Sequence, residues 1–227
     1  MPTLSQTRYG DVGRFYAGLP VATRFYARIR YATAPLERVA ALVPADVASV
    51  VELGCSVGVF ANVLKARRPE LDVVGVDAAE NKIAAARGTV RGRGGIKFVV
   101  DDAFAYVESH GPFDAVAVVD MLYLLPPSRQ DELIRLAAAR LRPGGYIIIK
   151  EMTDRPRWKR RWCAFQEWLA VRVVGLTEGA GIYLRPGRDY ELVLEDAGLA
   201  VETFDLSRGY LYPHFALRGR KVTGGEI

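Results

Sequence analysis

Residues 50–60 read "VVELGCSVGVF", and the meaning of this stretch decides how the rest of the chain is understood. An apolar run ends at Leu53, and Gly54-Cys55-Ser56-Val57-Gly58 follows, letter for letter a G-x-S-x-G. That pattern can be a sharp strand-to-helix elbow that presents a serine nucleophile. It can equally be a glycine-rich turn that wraps a nucleotide-like ligand between a strand and a helix. The two readings demand different residues elsewhere in the chain.

Outward from this point, apolar β-branched runs recur at "SVVEL" (49–53), "DVVGVD" (72–77), "IKFVV" (96–100), "DAVAVVD" (114–120) and "YIIIK" (146–150). Their apolar character is continuous rather than alternating, which marks strands buried on both faces in a parallel sheet. Helical patterns lie between them. Phe60, Val63 and Leu64 share one face after the first run, "AAENKIAAARG" stops at Gly88, and Leu133, Ile134, Ala137 and Leu141 line another helix. Strand and helix in alternation predict an α/β, doubly wound sheet. After residue 150 the rhythm changes to a long helical pattern over 156–174, a helix near 188–197, and two β runs with no helix between them. The last two predict an antiparallel hairpin at one sheet edge. Residues 1–13 and 222–227 read as loose ends.

Ligands of open α/β sheets bind at the carboxyl ends of the strands. Acids stand at that end of successive runs here: Glu52, Asp77, Asp101 and Asp102, and Asp120. One such acid is most simply a helix cap, but four along one edge point to a shared ligand. Asp77 comes nineteen residues after Gly58, near the offset of a carboxylate that grips a ribose diol.

With these residues in place, the chain from about Ala48 to Lys221 resembles the class I S-adenosylmethionine-dependent methyltransferases. Glu52-x-Gly54-x-Ser56-x-Gly58 resembles their first motif, and Asp77, followed by Ala78, falls at their ribose-binding acid. Asp102-Ala103 in "VVDDAFAY" resembles the pair that holds adenine, "FDAVAVVDMLYLLPP" the fourth strand and its exit, and "LRPGGYIIIKE" the turn into the fifth. The resemblance implies a seven-stranded sheet in the order 3-2-1-4-5-7-6 with strand 7 antiparallel. It implies S-adenosyl-L-methionine as cofactor and S-adenosyl-L-homocysteine as product. Cofactor contacts are expected from Glu52, Gly54, Cys55, Ser56, Gly58, Asp77, Ala78, Asp102, Ala103, Phe104 beside the adenine ring, and the backbone carbonyl of Asp120. The family has glycine where this chain has Ser56, and a serine fits if its φ is negative.

The elbow reading lacks its companions. Nothing like an oxyanion loop precedes Ser56, the only histidines are His110 and His214, and the strand-tip acids would have no task. Ser56 is therefore read as a cofactor-loop residue. A nicotinamide dehydrogenase would explain the loop and Asp77, but neither Asp102 nor the exit of the fourth strand. That exit, "DMLYLLPP", matches neither the Asp/Asn-Pro-Pro-Tyr/Phe of enzymes that methylate planar nitrogens nor the Pro-Cys of the cytosine-carbon enzymes. Tyr123 reads as an aromatic at the pocket mouth or an orienting hydroxyl. His214 is the better candidate for a proton acceptor, although a structural histidine at a strand start explains it as well. No acid-and-histidine set for a divalent metal is evident.

The chain has 227 residues, half of them hydrophobic, which suits one substantial core. A single methyltransferase domain is expected, with an N-terminal helical lid (1–44), a cofactor-binding core (45–150), a substrate-side helical insertion (151–187), and a C-terminal helix and hairpin (188–221). No apolar run approaches a membrane span. Cys55 and Cys163 are far apart with no CxxC, so a reduced, cytoplasmic protein is the expectation. A net charge of +5 invites an anionic partner.

Two segments carry that charge beside aromatic residues. In "RPRWKRRWCAFQEWLAVRVVGL" an apolar stripe through Trp158, Trp162 and Phe165 adjoins Arg155, Arg157, Lys159, Arg160 and Arg161, a pattern of helices that lie on anionic lipid. In "LPVATRFYARIRYATAPLERVAALV" Val21, Phe25 and Ile29 form one face, Arg24, Arg28 and Tyr31 another, and Pro35 opens a second helix. Either stripe could instead cover the sheet. The predicted activity is methyl transfer to a small, hydrophobic or lipid-like acceptor, with peripheral contact to an anionic membrane. The alternatives are an RNA or protein methyltransferase and a non-catalytic cofactor-binding protein. A lone basic cluster supports phosphate binding without base reading, so nucleic acid is the competing partner.

Overall fold

The computed structural model describes residues 9–152, 181–211 and 213–222. Seven strands are β1 (Ser49–Leu53), β2 (Asp72–Asp77), β3 (Ile96–Val100), β4 (Phe113–Val119), β5 (Leu141–Met152), β6 (Leu199–Asp205) and β7 (His214–Lys221). They form one sheet in the order β3-β2-β1-β4-β5-β7-β6. The first five are parallel, and β7 runs antiparallel to both β5 and β6. The doubly wound topology is as the sequence predicts, and the strand order is the one that the family resemblance implies.

Consecutive apolar residues in a strand face opposite sides, so each run feeds two apolar layers. Val50, Val73, Phe98, Ala117 and Ile148 pack on one side against α4 (Val59–Arg67), α5 (Glu80–Gly88) and α3 (Leu36–Ala40). Val51, Leu53, Val116, Val118, Ile147 and Ile149 pack on the other against α6 (Ala103–Ser109), α7 (Pro127–Ala139) and α8 (Gly187–Asp196). Two further helices, α1 (Tyr9–Gly13) and α2 (Val21–Thr33), lie on the α4 side.

Two expectations change, and one open alternative is decided. Residues 9–13 are helical, with Val12 fully buried in the core, so the N-terminal part of the fold begins earlier than expected. β5 starts at Leu141, because Leu141 pairs with Phe113 before a register irregularity resumes pairing at Ala115 and Tyr146. The stripe of Val21, Phe25 and Ile29 does not cover the sheet, since these side chains are 76%, 65% and 44% exposed. The side of α2 that turns inward carries the fully buried Ala27 and the partly buried Tyr26 and Arg30. The basic aromatic segment at 155–176, with Cys163, lies outside the described residues.

Candidate functional site

Strand register sets the strand-tip residues at one level. Leu53 pairs with Val76 on one side and Val118 on the other, and Asp77 pairs with Val100. Gly54 and Val119, one step past Leu53 and Val118, are level with that pair, and Asp101 lies one residue beyond, so the loops after β1, β2, β3 and β4 open on the same edge.

The loop after β1 is held against β2. Gly54 and Cys55 both donate their N–H to the Val76 carbonyl, at 2.8 and 2.9 Å, and Gly58 N–H closes the turn on the Cys55 carbonyl at 2.8 Å. Gly58 has φ +77° and begins α4, with the Phe98 ring only 2.5 Å from where a Cβ would stand. Ser56 corrects an expectation, because its φ is +51° rather than negative. Its N–H donates to Asp77 Oδ2 at 2.8 Å, a bond that offsets part of the cost of a left-handed serine, about 1–2 kcal/mol. Ser56→Gly is therefore expected to leave the melting temperature unchanged or raise it slightly. Ser56→Val, β-branched in the same conformation, is expected to lower it, by thermal denaturation.

Each acid has a local partner as well as a place on the shared edge. Glu52, 3% exposed, accepts the Ala61 N–H of α4 at 2.9 Å. Burial pushes its carboxyl up to about 8 against that hydrogen bond. Asp77 spans two turns, Oδ2 taking the Ser56 N–H and Oδ1 the Ala79 N–H at 2.9 Å, with exposed Ala78 between. Asp102 caps α6, its Oδ1 accepting from Phe104 and Ala105. Ala103 opens that helix, and the buried Phe104 ring carries the Arg129 guanidinium 3.8 Å over its centre. Cys55 is buried, and burial raises its thiol well above the ordinary range.

The side chain of Asp120 has a task of its own, apart from the backbone carbonyl. The residue has φ +53°, and its side chain, 3% exposed, lies between two cations: Lys150 Nζ at 2.5 Å from each oxygen and Arg30 Nη1 at 2.5 Å. Burial opposes its ionisation, but Arg30 and Lys150 outweigh this and hold the carboxyl at about 2. Arg30 Nη2 also reaches the Val119 carbonyl at 3.5 Å. Next to Lys150, the buried Glu151 accepts the N–H groups of Met121 and Leu122 through Oε1 at 3.0 and 2.8 Å. Its Oε2 has no partner among the described residues, and burial raises it to about 8.

A narrow cleft of about 50 Å³ is lined by Glu52, Gly54, Cys55, Ser56, Val59, Phe60, Val119 and Asp120, with Tyr26 and Arg30 of α2 over it. The Met121 side chain lies against Gly54 where a Cβ would be. Tyr123, partly buried in a 3₁₀ turn, is close enough to influence the Arg30 guanidinium. His214 is not among the cleft-lining residues. It is 2% exposed at the start of β7, with Nε2 3.1 Å from the Thr33 carbonyl and Nδ1 buried without a partner among the described residues. Burial lowers its pKa to about 4. That placement packs the ring against the end of α2.

Sequence reasoning missed Tyr26, Arg30, Lys150 and Glu151. The last two had a signal, since a buried apolar strand that ends in Lys-Glu repeats the charged-tip pattern of the other strands. Arg30 had none, as helical spacing does not say which face turns inward.

The carboxylates fit an adenosyl cofactor. Each oxygen of Asp77 has one backbone partner and retains acceptor capacity for a diol, and Asp102 likewise has sites beyond its cap. Among the described residues no cluster of His, Cys, Asp and Glu is suited to a metal, and no helix is long and apolar enough to cross a membrane.

Residues 24–203 match the family described as methyltransferase domain. A demethylmenaquinone methyltransferase of Thermus thermophilus is 32% identical over 111 residues, covering 48% of this chain and 49% of that protein. The chain therefore matches about half the length of that curated relative. Among solved structures, an O-methyltransferase family protein from Burkholderia thailandensis superposes with a TM-score of 0.69 at 24% identity, covering 93% of this chain and 62% of that one. The magnesium protoporphyrin IX methyltransferase of Synechocystis PCC 6803, solved with S-adenosylhomocysteine bound, superposes at 0.63 with 19% identity, covering 94% and 93%.

Proposed function

Since this chain belongs to the methyltransferase-domain family, we propose that it methylates a small, hydrophobic or lipid-like acceptor. In this reading its methyl donor is S-adenosylmethionine, the ligand bound in one structure of the Synechocystis enzyme. The observation that carries the acceptor class is the cleft wall. Beyond the loop and its acids, the wall consists of Tyr26, Val59, Phe60 and Val119 with the Arg30 guanidinium, which is bound to Asp120, and Met121 and Tyr123 stand on the adjoining turn. Its strongest charge, Asp120, is already neutralised by Arg30 and Lys150. The relatives' names, which include a quinone and a porphyrin methyltransferase, support the same class.

The cofactor supplies a methyl group on a positively charged sulfur, so its chemistry needs little beyond placement. In this reading Asp77 accepts the ribose hydroxyls, Asp102 with Ala103 and Phe104 holds the adenine end, and Gly54, Cys55, Ser56 and Gly58 form the cradle for the methionyl end. Glu52 stiffens that cradle through Ala61, and Glu151 fixes the turn at Met121–Leu122. Tyr123 orients the acceptor. Residues 9–40 act as a lid, with Arg30 latched on Asp120, over a core of residues 45–150, and the described residues serve as one domain. Alignment and exclusion of water, rather than a dedicated base, supply the acceleration.

The test is to incubate the purified protein with methyl-labelled S-adenosylmethionine and fractionated extracts. Label is expected in a solvent-extractable, low-molecular-weight fraction. Label in RNA or in acid-precipitable protein would replace this reading with a macromolecular substrate, and no label in any fraction would favour a non-catalytic binding protein.

A further inference from the structure

Isolated exposed apolar side chains are ordinary on a protein surface. On α2, however, Val21, Phe25 and Ile29 follow at i, i+4 and i+8 and stand 76%, 65% and 44% exposed. At about 100° per residue, they share one outward stripe with the exposed Ala32. The stripe has two different borders. Along one run the exposed Arg24 and Arg28, next to a groove of about 460 Å³ whose walls include Tyr9, Arg14 and Ala17. Along the other run Tyr26 and Arg30, which line the cleft. The helix "VATRFYARIRYAT" contains no acid.

We propose that this face of α2 docks on an anionic lipid bilayer, with Val21, Phe25 and Ile29 in the interface and Arg24 and Arg28 on lipid phosphates. Charge complementarity selects the occupant, since an apolar stripe edged by arginines and free of acids is the pattern of helices that lie in the plane of anionic membranes. The second border gives the docking a use, and for this point alone it rests on the hydrophobic-acceptor reading. A lipophilic acceptor leaving the bilayer at Phe25 or Ile29 meets Tyr26 and Arg30 on the adjacent flank of the same helix, with little water to cross.

The experiment is co-sedimentation with vesicles of phosphatidylglycerol and phosphatidylcholine, and with phosphatidylcholine alone. Wild type is expected to bind the anionic vesicles, weakly the neutral ones, and less as salt rises. Phe25→Ser with Ile29→Ser is expected to cut binding at least tenfold. Arg24→Glu with Arg28→Glu is expected to cut it at least about thirtyfold, since each basic residue near such a surface contributes about fivefold. All these side chains are exposed, so unchanged circular dichroism and melting temperature separate lost docking from lost folding. Equal binding by wild type and both variants would overturn the proposal. So would a dimer in sedimentation velocity that Phe25→Ser dissolves without vesicles, because a second copy would then be the occupant. Binding is measured without acceptor or methyl transfer, so this result stands apart from the label experiment.

Discussion

Asp77→Ala is expected to weaken binding of S-adenosylhomocysteine about a hundredfold or more, read by titration calorimetry. Two losses combine. The variant lacks the carboxylate proposed to take the ribose hydroxyls, and hydrogen bonds to a charged group contribute about 1.5–3 kcal/mol. It also strands the N–H groups of Ser56 and Ala79, which Asp77 holds at 2.8 and 2.9 Å, and so loosens the loop proposed to shape the methionyl end. Asp77→Asn separates the two. A single amide oxygen can serve one of those N–H groups, so part of the loop order returns while ribose binding stays poor. Unchanged affinity in Asp77→Ala would remove Asp77 from the cofactor site.

Asp120→Ala is expected to cost about 3–5 kcal/mol of stability, the range for breaking a buried ion pair from one side. Lys150 is 0% exposed, and burial already drags its ammonium below the ordinary range in spite of Asp120. Without the carboxylate nothing offsets that burial or the adjacent Arg30. Lys150→Met is expected to cost far less, because Asp120 retains Arg30. Adding Lys150→Met to Asp120→Ala should recover much of the loss, and urea denaturation measures all three. Equal losses in the two single variants would show that the pair is not what holds this region.

The pH dependence follows from the same carboxyl. Its pKa falls from an ordinary 3.8 to about 2 on folding, so below pH 4 the unfolded chain binds more protons there. The stabilisation is complete above about pH 4 and is lost as pH falls through 2. Asp120→Ala should lack that component of acid unfolding.

The sheet was legible because its strands are buried on both faces, which leaves unbroken runs such as "DAVAVV" and "YIII" that no amphipathic helix would carry. The acids stood out for the same reason, as charges at the ends of those runs. Their local duties did not. Asp102, two residues past β3, caps α6, a role open to any of these acids in the sequence and assigned to this one by the turn. The left-handed Ser56 was hidden because the bond that holds it comes from Asp77, twenty-one residues on. The orientation of α2 stayed open in the sequence for an energetic reason. Apolar spacing allowed Val21, Phe25 and Ile29 to face the sheet or the outside, and the ion pair of Arg30 with a buried Asp120 turns the opposite flank inward.

The position of β7 has a consequence for synthesis. It lies between β5 and β6 although it follows both in the chain, so the sheet stays incomplete until residue 221 has left the ribosome. Until then the nascent protein carries an uncovered β5 edge at Tyr146–Met152, where β7 will later pair. An open apolar edge is a template for joining another chain. Translation that stalls before this strand would therefore yield a sticky fragment with most of its cofactor loops already written, rather than a smaller working enzyme.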